Sequence, residues 1–91
     1  MLIRSQNKQR LFKLDTIMYI EADEDNDVCI HFNGKFYIMG RYSTKEKALR
    51  VLDMIEERYN EAIYINDLGG GEYAKYEHSS FQMPQDDEVE L

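Results

Sequence analysis

The sequence predicts an α+β fold: a curved antiparallel sheet of about four to five short strands, packed by one C-terminal helix. Three observations point there. Short apolar segments separated by turn residues fill the first forty positions. A single capped stretch of helical periodicity follows, from about Ser43 to Ile63. The whole chain of 91 residues is the size of one small domain.

Leu2-Ile3-Arg4 and Leu11-Phe12-Lys13-Leu14 read as strands around the polar turn Gln6-Asn7-Lys8-Gln9. Ile17 to Ala22 is a longer apolar run, and Asp23-Glu24-Asp25-Asn26-Asp27 is a turn by composition. Val28 to Phe32 and Phe36 to Met39 flank Asn33-Gly34 as a hairpin. A two-residue turn there pairs Ile30 with Tyr37. It puts Phe36 and Ile38 on the face of Cys29 and His31. A three-residue loop over Phe32-Asn33-Gly34 instead pairs Ile30 with Phe36 and Val28 with Ile38. That second register gathers the strongest apolar residues on one face, with Gly34 as a left-handed bulge residue, and it is the one expected.

In the helix, Ser43 is placed to cap and Glu46 completes a Ser-x-x-Glu box. Ala48, Val51, Leu52, Ile55, Tyr59, Ala62 and Ile63 form the stripe that should face the sheet. Asn66 and Gly69-Gly70-Gly71 stop it. The glycines read as a flexible link, because no Lys-Ser/Thr pair follows as in a phosphate loop. The organisation expected is a strand-meander and helix domain over 1–65, a linking and aromatic docking segment over 66–84, and a disordered acidic tail over 85–91. Tyr73, Tyr76 and Phe81 in the second segment either dock on the sheet or form a partner-binding arm.

The net charge of −7 is unevenly spread. Residues 1–13 carry four basic side chains and no acidic one, whereas 14–34 carry six acidic side chains and no basic one. Residues 60–91 add eight acidic side chains against one lysine. Such a surface repels phosphate backbones and favours a protein partner with a basic surface. Nucleic acid is therefore a poor fit as partner. Arg4, Lys8, Arg10 and Lys13 beside Phe12 support the alternative, a small regulatory nucleic-acid-binding protein using its N-terminal hairpin. A structural or oligomeric role, a homodimer included, stays open.

Catalytic and cofactor chemistry finds little footing. Asp23-x-Asp25-x-Asp27 has the spacing that opens a calcium loop, but Val28 stands where glycine is needed and Gly34 where a bidentate glutamate is needed. Cys29, His31 and His78 lack the paired spacing of a zinc site. Cys29 with His31 lacks an orienting acid, and Ser79-Ser80 lacks a nucleophile elbow. No catalytic residue, metal or cofactor is expected. One cysteine, no apolar run of membrane-spanning length and no signal-like opening indicate the cytoplasm.

Two resemblances rest on quoted blocks. Met1-Leu2-Ile3-Arg4-Ser5-Gln6, Gly40-Arg41-Tyr42-Ser43-Thr44-Lys45-Glu46-Lys47-Ala48 with Val51-Leu52-Asp53-Met54-Ile55, and Phe81-Gln82-Met83-Pro84 resemble a family of small uncharacterised proteins from Firmicutes genomes, phages and mobile elements. That resemblance implies a bacterial, mobile-element setting, where small acidic proteins often antagonise host defence, anti-CRISPR proteins among them. Leu14-Asp15-Thr16-Ile17-Met18-Tyr19-Ile20-Glu21-Ala22 is similar to a strand of LytTR-type DNA-binding domains, over the first half of the chain only.

The function expected is non-catalytic protein binding, in its specific form an inhibitor of a host nucleic-acid-handling protein. Glu21, Asp23, Glu24, Asp25 and Asp27 would supply charge, and Tyr73, Tyr76 and Phe81 apolar contact. A pleckstrin-homology-like half-barrel is one architecture that would present them.

Overall fold

Strand β1 (Leu2–Arg4) pairs antiparallel with β2 (Leu11–Lys13), so Ile3 and Phe12 stand opposite each other. The turn between them is held by its own polar side chains. Asn7 Oδ1 accepts from the Ser5 hydroxyl at 2.7 Å and from the Gln9 amide at 3.0 Å, and Ser5 Oγ accepts from the Arg10 amide at 3.1 Å. These bonds let Ser5 be buried and Lys8 adopt a positive φ of 67°. The computed structural model describes residues 1–17, 19–68 and 80–91, with side chains for 1–17, 19–60 and 80–91.

The fold is α+β, with a helix against strands that divide into two open three-stranded sheets. In the first, β1 lies between β2 and a late strand β6 (Ser80–Gln82), which runs parallel to it and sets Phe81 beside Ile3. The second is the antiparallel meander β3 (Tyr19–Ala22), β4 (Asp27–Phe32) and β5 (Lys35–Arg41).

The β4–β5 hairpin corrects the expected register. Its turn has two residues, Asn33 and Gly34, both left-handed at φ 51° and 77°. This is the geometry that matches strand twist and that asparagine and glycine tolerate best. Phe32 pairs with Lys35, His31 with Phe36 and Ile30 with Tyr37. Between Val28 and Cys29 the register shifts, so that Val28 faces Gly40 while Cys29 faces Ile38, leaving Met39 as the extra residue of a bulge. The bulge is why the turn does not need to put Phe36 in the core: Met39 reaches it instead, with Val28 and Ile30.

Helix α1 spans Lys45–Leu68, longer than the periodic stripe suggested, with Asn66 inside it and Gly69 next in the sequence. Its cap is Thr44, not Ser43: Thr44 Oγ1 accepts from the Lys47 amide at 3.1 Å. Ser43 is diverted by the C-terminal segment, since its amide and hydroxyl both donate to Asp86 Oδ1, at 2.8 and 3.1 Å. Ala48, Val51 and Ile55 meet Ile3, Val28, Ile30, Met39 and Tyr42 in one core.

Residues 85–91 are not a solvated tail. Asp86–Glu88 form a 3₁₀ turn with reciprocal Gln85–Glu88 capping, and Val89 is buried in the same core as Met83. The apolar anchor and the Asp86 cap outweigh the charge of the segment. The stretch 80–91 therefore belongs to the domain built by residues 1–60. Tyr73 and Tyr76 lie outside the described residues.

Candidate functional site

The two-residue turn has a consequence for the outer face of the second sheet, opposite the helix. Side chains alternate along each strand, so the register sets rows across the three strands. One row is Tyr19, His31 and Phe36; the next is Glu21, Cys29 and Ile38. The first row is aromatic throughout. Tyr19 stacks on His31 with centroids 4.1 Å apart and planes 11° apart, and His31 lies 5.9 Å from Phe36 at 29°. The outer members are open to solvent, Tyr19 at 49% and Phe36 at 60% exposure. His31 is fixed from the second row, its Nε2 lying 2.9 Å from Glu21 Oε1.

Beyond Glu21 the chain enters the acidic turn. Asp23 Oδ1 accepts from the amides of Asp25 and Asp27, at 2.9 and 3.0 Å. Its Oδ2 lies 3.4 Å from the Cys29 thiol, which donates to it. The Asp27 amide is the main cause holding the Asp23 carboxyl below its usual range. Lys45 at the head of the helix donates to the carbonyls of Ala22 and Asp23, at 3.0 and 2.7 Å, and so clamps the turn to α1.

The five carboxylates singled out in the sequence are thus not equivalent. Asp23 is spent on the turn itself. Asp27 is buried, and desolvation raises its carboxyl pKa against the opposing pull of Arg41 across the strand pair. Glu24 and Asp25 are exposed, and Glu21 shares its carboxylate with His31. Phe81 does not join them. It sits half-buried in β6 on the other sheet, against the core.

Tyr19 and Phe36 take the place expected of Phe81. Sequence reasoning missed them because the three-residue loop put Phe36 inside. The signal was present in Asn33-Gly34, the strongest short hairpin turn, which sets Phe36 opposite His31.

Cys29 and His31 do share a face, but the thiol is buried and pushed up to about 12, chiefly by that burial and then by its bond to Asp23. It stays protonated near neutrality, which is the inert rather than the nucleophilic form. His78 lies outside the described residues. Among the described residues no group of three acidic, histidine or cysteine side chains is arranged to hold a metal ion.

The basic hairpin is partly occupied with its own structure. Arg4 donates to the Lys8 carbonyl at 2.9 Å, and the Arg10 guanidinium lies 5.2 Å from the centre of the Tyr37 ring. A separate apolar groove of about 490 Å³ runs between α1 and β3, floored by Ile20, Leu52, Ile55 and Tyr59, with Asp15 and Glu56 as its charged members. Among the described residues no helix is long and apolar enough to cross a membrane. Comparison of the chain with protein-family models, with curated proteins and with solved structures gave no match.

Proposed function

We propose that this chain is a non-catalytic protein-binding module whose partner presents a basic surface. The contact is the β3–β4 turn together with the adjoining outer face of β3, β4 and β5. In its most specific form the module is a mobile-element-encoded, anti-CRISPR-like inhibitor acting in a bacterial cytoplasm. It would occupy the Arg/Lys groove of a host nucleic-acid-handling protein.

One observation carries this reading: the β3–β4 strand pair ends in carboxylates on a turn clamped by Asp23 and Lys45, carries an exposed aromatic row at its other end, and sets Glu21 between the two. Charge of fixed geometry steers a cationic partner, and exposed aromatics supply the desolvated anchor that charge alone does not give.

Affinity capture from a bacterial lysate tests it, using the native chain beside Glu24→Lys/Asp25→Lys. Those two side chains are exposed, so the fold should be unaffected. A partner retained by the native chain, released by raised salt and absent from the charge-reversed bait is the expected result. Equal retention by both baits would sink the reading.

A further inference from the structure

We propose that the Tyr19 end of the Tyr19–His31–Phe36 row is an arginine-recognition surface: a guanidinium of the partner stacks on the exposed Tyr19 ring, with the Glu21 carboxylate as its acidic neighbour. This rests on the protein-binding reading above and names the side chain that reading would recognise.

The row is preformed. Stacking of Tyr19 on His31 and the His31–Glu21 contact fix the two rings against each other, so a flat group meets a surface that need not reorganise. Tyr19 ends the row on an edge strand and is half exposed; Phe36 ends it on the opposite edge strand, in a recess shared with Arg10 and Arg41. Glu21 lies two residues from Tyr19 on the same strand and face, and only one of its oxygens is engaged by His31. Glu24 and Asp25 follow on the turn, at the far end of the strand pair from Tyr19, where they add to the long-range attraction only.

A cation over the ring and a carboxylate beside it are the two partners that a guanidinium satisfies together. Its plane stacks while its edge donates in a fork. A lysine ammonium is a compact, strongly hydrated charge that can use the carboxylate but not the stacking face. The chain makes the ring half of this pairing internally, with the Arg10 guanidinium 5.2 Å from the centre of the Tyr37 ring. Exposed aromatics on a sheet also stack nucleic-acid bases, but such platforms lie in basic grooves. Beside Tyr19 the adjoining row contributes Glu21, which repels phosphate, while Phe36 at the other end lines a recess with Arg10 and Arg41.

The test is a nuclear magnetic resonance titration of the full chain with three probes: a short capped peptide bearing two arginines, the same peptide with lysines, and a single-stranded oligonucleotide. The expected result is saturable shifts at the Tyr19 ring and at Glu21 with the arginine peptide. Binding of the lysine peptide should be about fivefold weaker or worse. Tyr19→Leu keeps apolar bulk without the ring and should weaken the arginine peptide several-fold, with the rest of the spectrum unchanged; unchanged affinity in Tyr19→Leu would overturn the inference.

Equal affinity for the two peptides would overturn the inference while leaving the basic-partner reading intact, because the carboxylates alone would then explain attraction. Binding of neither peptide would also overturn it, and lysate capture would still judge the wider reading on its own. Shifts at the row with the oligonucleotide alone would overturn both.

Discussion

The carboxamide of Gln6 takes both backbone positions of Arg41: its Oε1 accepts from the Arg41 amide at 2.9 Å, and its Nε2 donates to the Arg41 carbonyl at 3.1 Å. The Gln6 amide donates in turn to the Met39 carbonyl at 2.7 Å. One side chain thus behaves as a short strand along the outer edge of β5, and it joins the two sheets. The same Nε2 also reaches the Pro84 carbonyl at 3.1 Å, so the C-terminal segment is tied in at the same point.

Gln6→Ala should therefore cost more than an ordinary part-exposed glutamine. Loss of these bonds is expected to lower stability by about 1–2 kcal/mol in urea denaturation. Amide exchange should quicken first at Arg41, whose N–H loses its acceptor. A uniform change across β4 and β5 would argue against a local edge role.

The hairpin register gives a sharper contrast. Phe36 is exposed and Ile30 fully buried. Phe36→Ser should change stability by less than about 1 kcal/mol, whereas Ile30→Ala should cost about 2–5 kcal/mol. A three-residue loop predicts similar, large losses for both. Denaturant midpoints of the two variants decide the matter.

That contrast also marks how far the sequence could be read. The turns at Gln6–Gln9, Asp23–Asp27 and Asn33-Gly34 were legible, because asparagine, aspartate and glycine signal them locally. So was the helix face of Ala48, Val51 and Ile55. The register is signalled by Asn33-Gly34, but apolarity ranks Phe36 over Tyr37 and points the other way, and nothing in the sequence marks Met39 as a bulge. The parallel pairing of Phe81 with Ile3 spans most of the chain and leaves no local trace. Ser43 and Thr44 are adjacent cap formers, and only the distant Asp86 decides between them. The acidic turn was legible as charge. Its division into structural Asp23 and Asp27 and exposed Glu24 and Asp25 needed the backbone path.

Gly40 is constrained by a close approach. A Cβ there would stand 2.7 Å from the Tyr42 hydroxyl and 2.9 Å from its ring. That ring is buried, and its hydroxyl donates to the Pro84 carbonyl at 2.8 Å. It has no open space to yield into. Gly40→Ala is expected to cost about 1–3 kcal/mol, and Tyr42→Phe about 1 kcal/mol. Together they should cost less than the sum of the two, since both act on the Pro84 contact; a double-mutant cycle measures it.

Cys29 should be a slow thiol. With its pKa pushed up to about 12, roughly one molecule in 10⁴ carries the thiolate at pH 8. Alkylation of native protein should run at least about a hundredfold slower than in denaturant, where the thiol returns to its ordinary range. Asp23→Asn removes the nearby charge but not the burial, so it should speed the reaction only modestly. Fast labelling of the native protein at pH 8 would contradict the buried position.

Asp86 links acid sensitivity to the docking of the C-terminal segment. Its carboxyl is held below the usual range, first by the Ser43 amide and further by the Ser43 hydroxyl and Lys47. A carboxyl depressed by folding adds stability that is fully present above its unfolded value, ordinarily 3.8. That contribution is lost as pH falls through the lower folded value. Asp23 behaves in the same sense. Asp27 runs the other way: its raised carboxyl opposes folding when ionised, and that opposition is relieved as pH falls through its folded value. Asp86→Ala should destabilise the chain at pH 7, as for a lost helix-end hydrogen bond, and that loss should fade as pH falls through the lowered carboxyl range. Asp27→Asn should compare more favourably with the native chain at pH 7 than at pH 4. Thermal melts of the native chain and both variants across that range separate the two effects. Val89→Ala is the control, because a buried methyl pair does not titrate and its loss of stability should be the same at every pH.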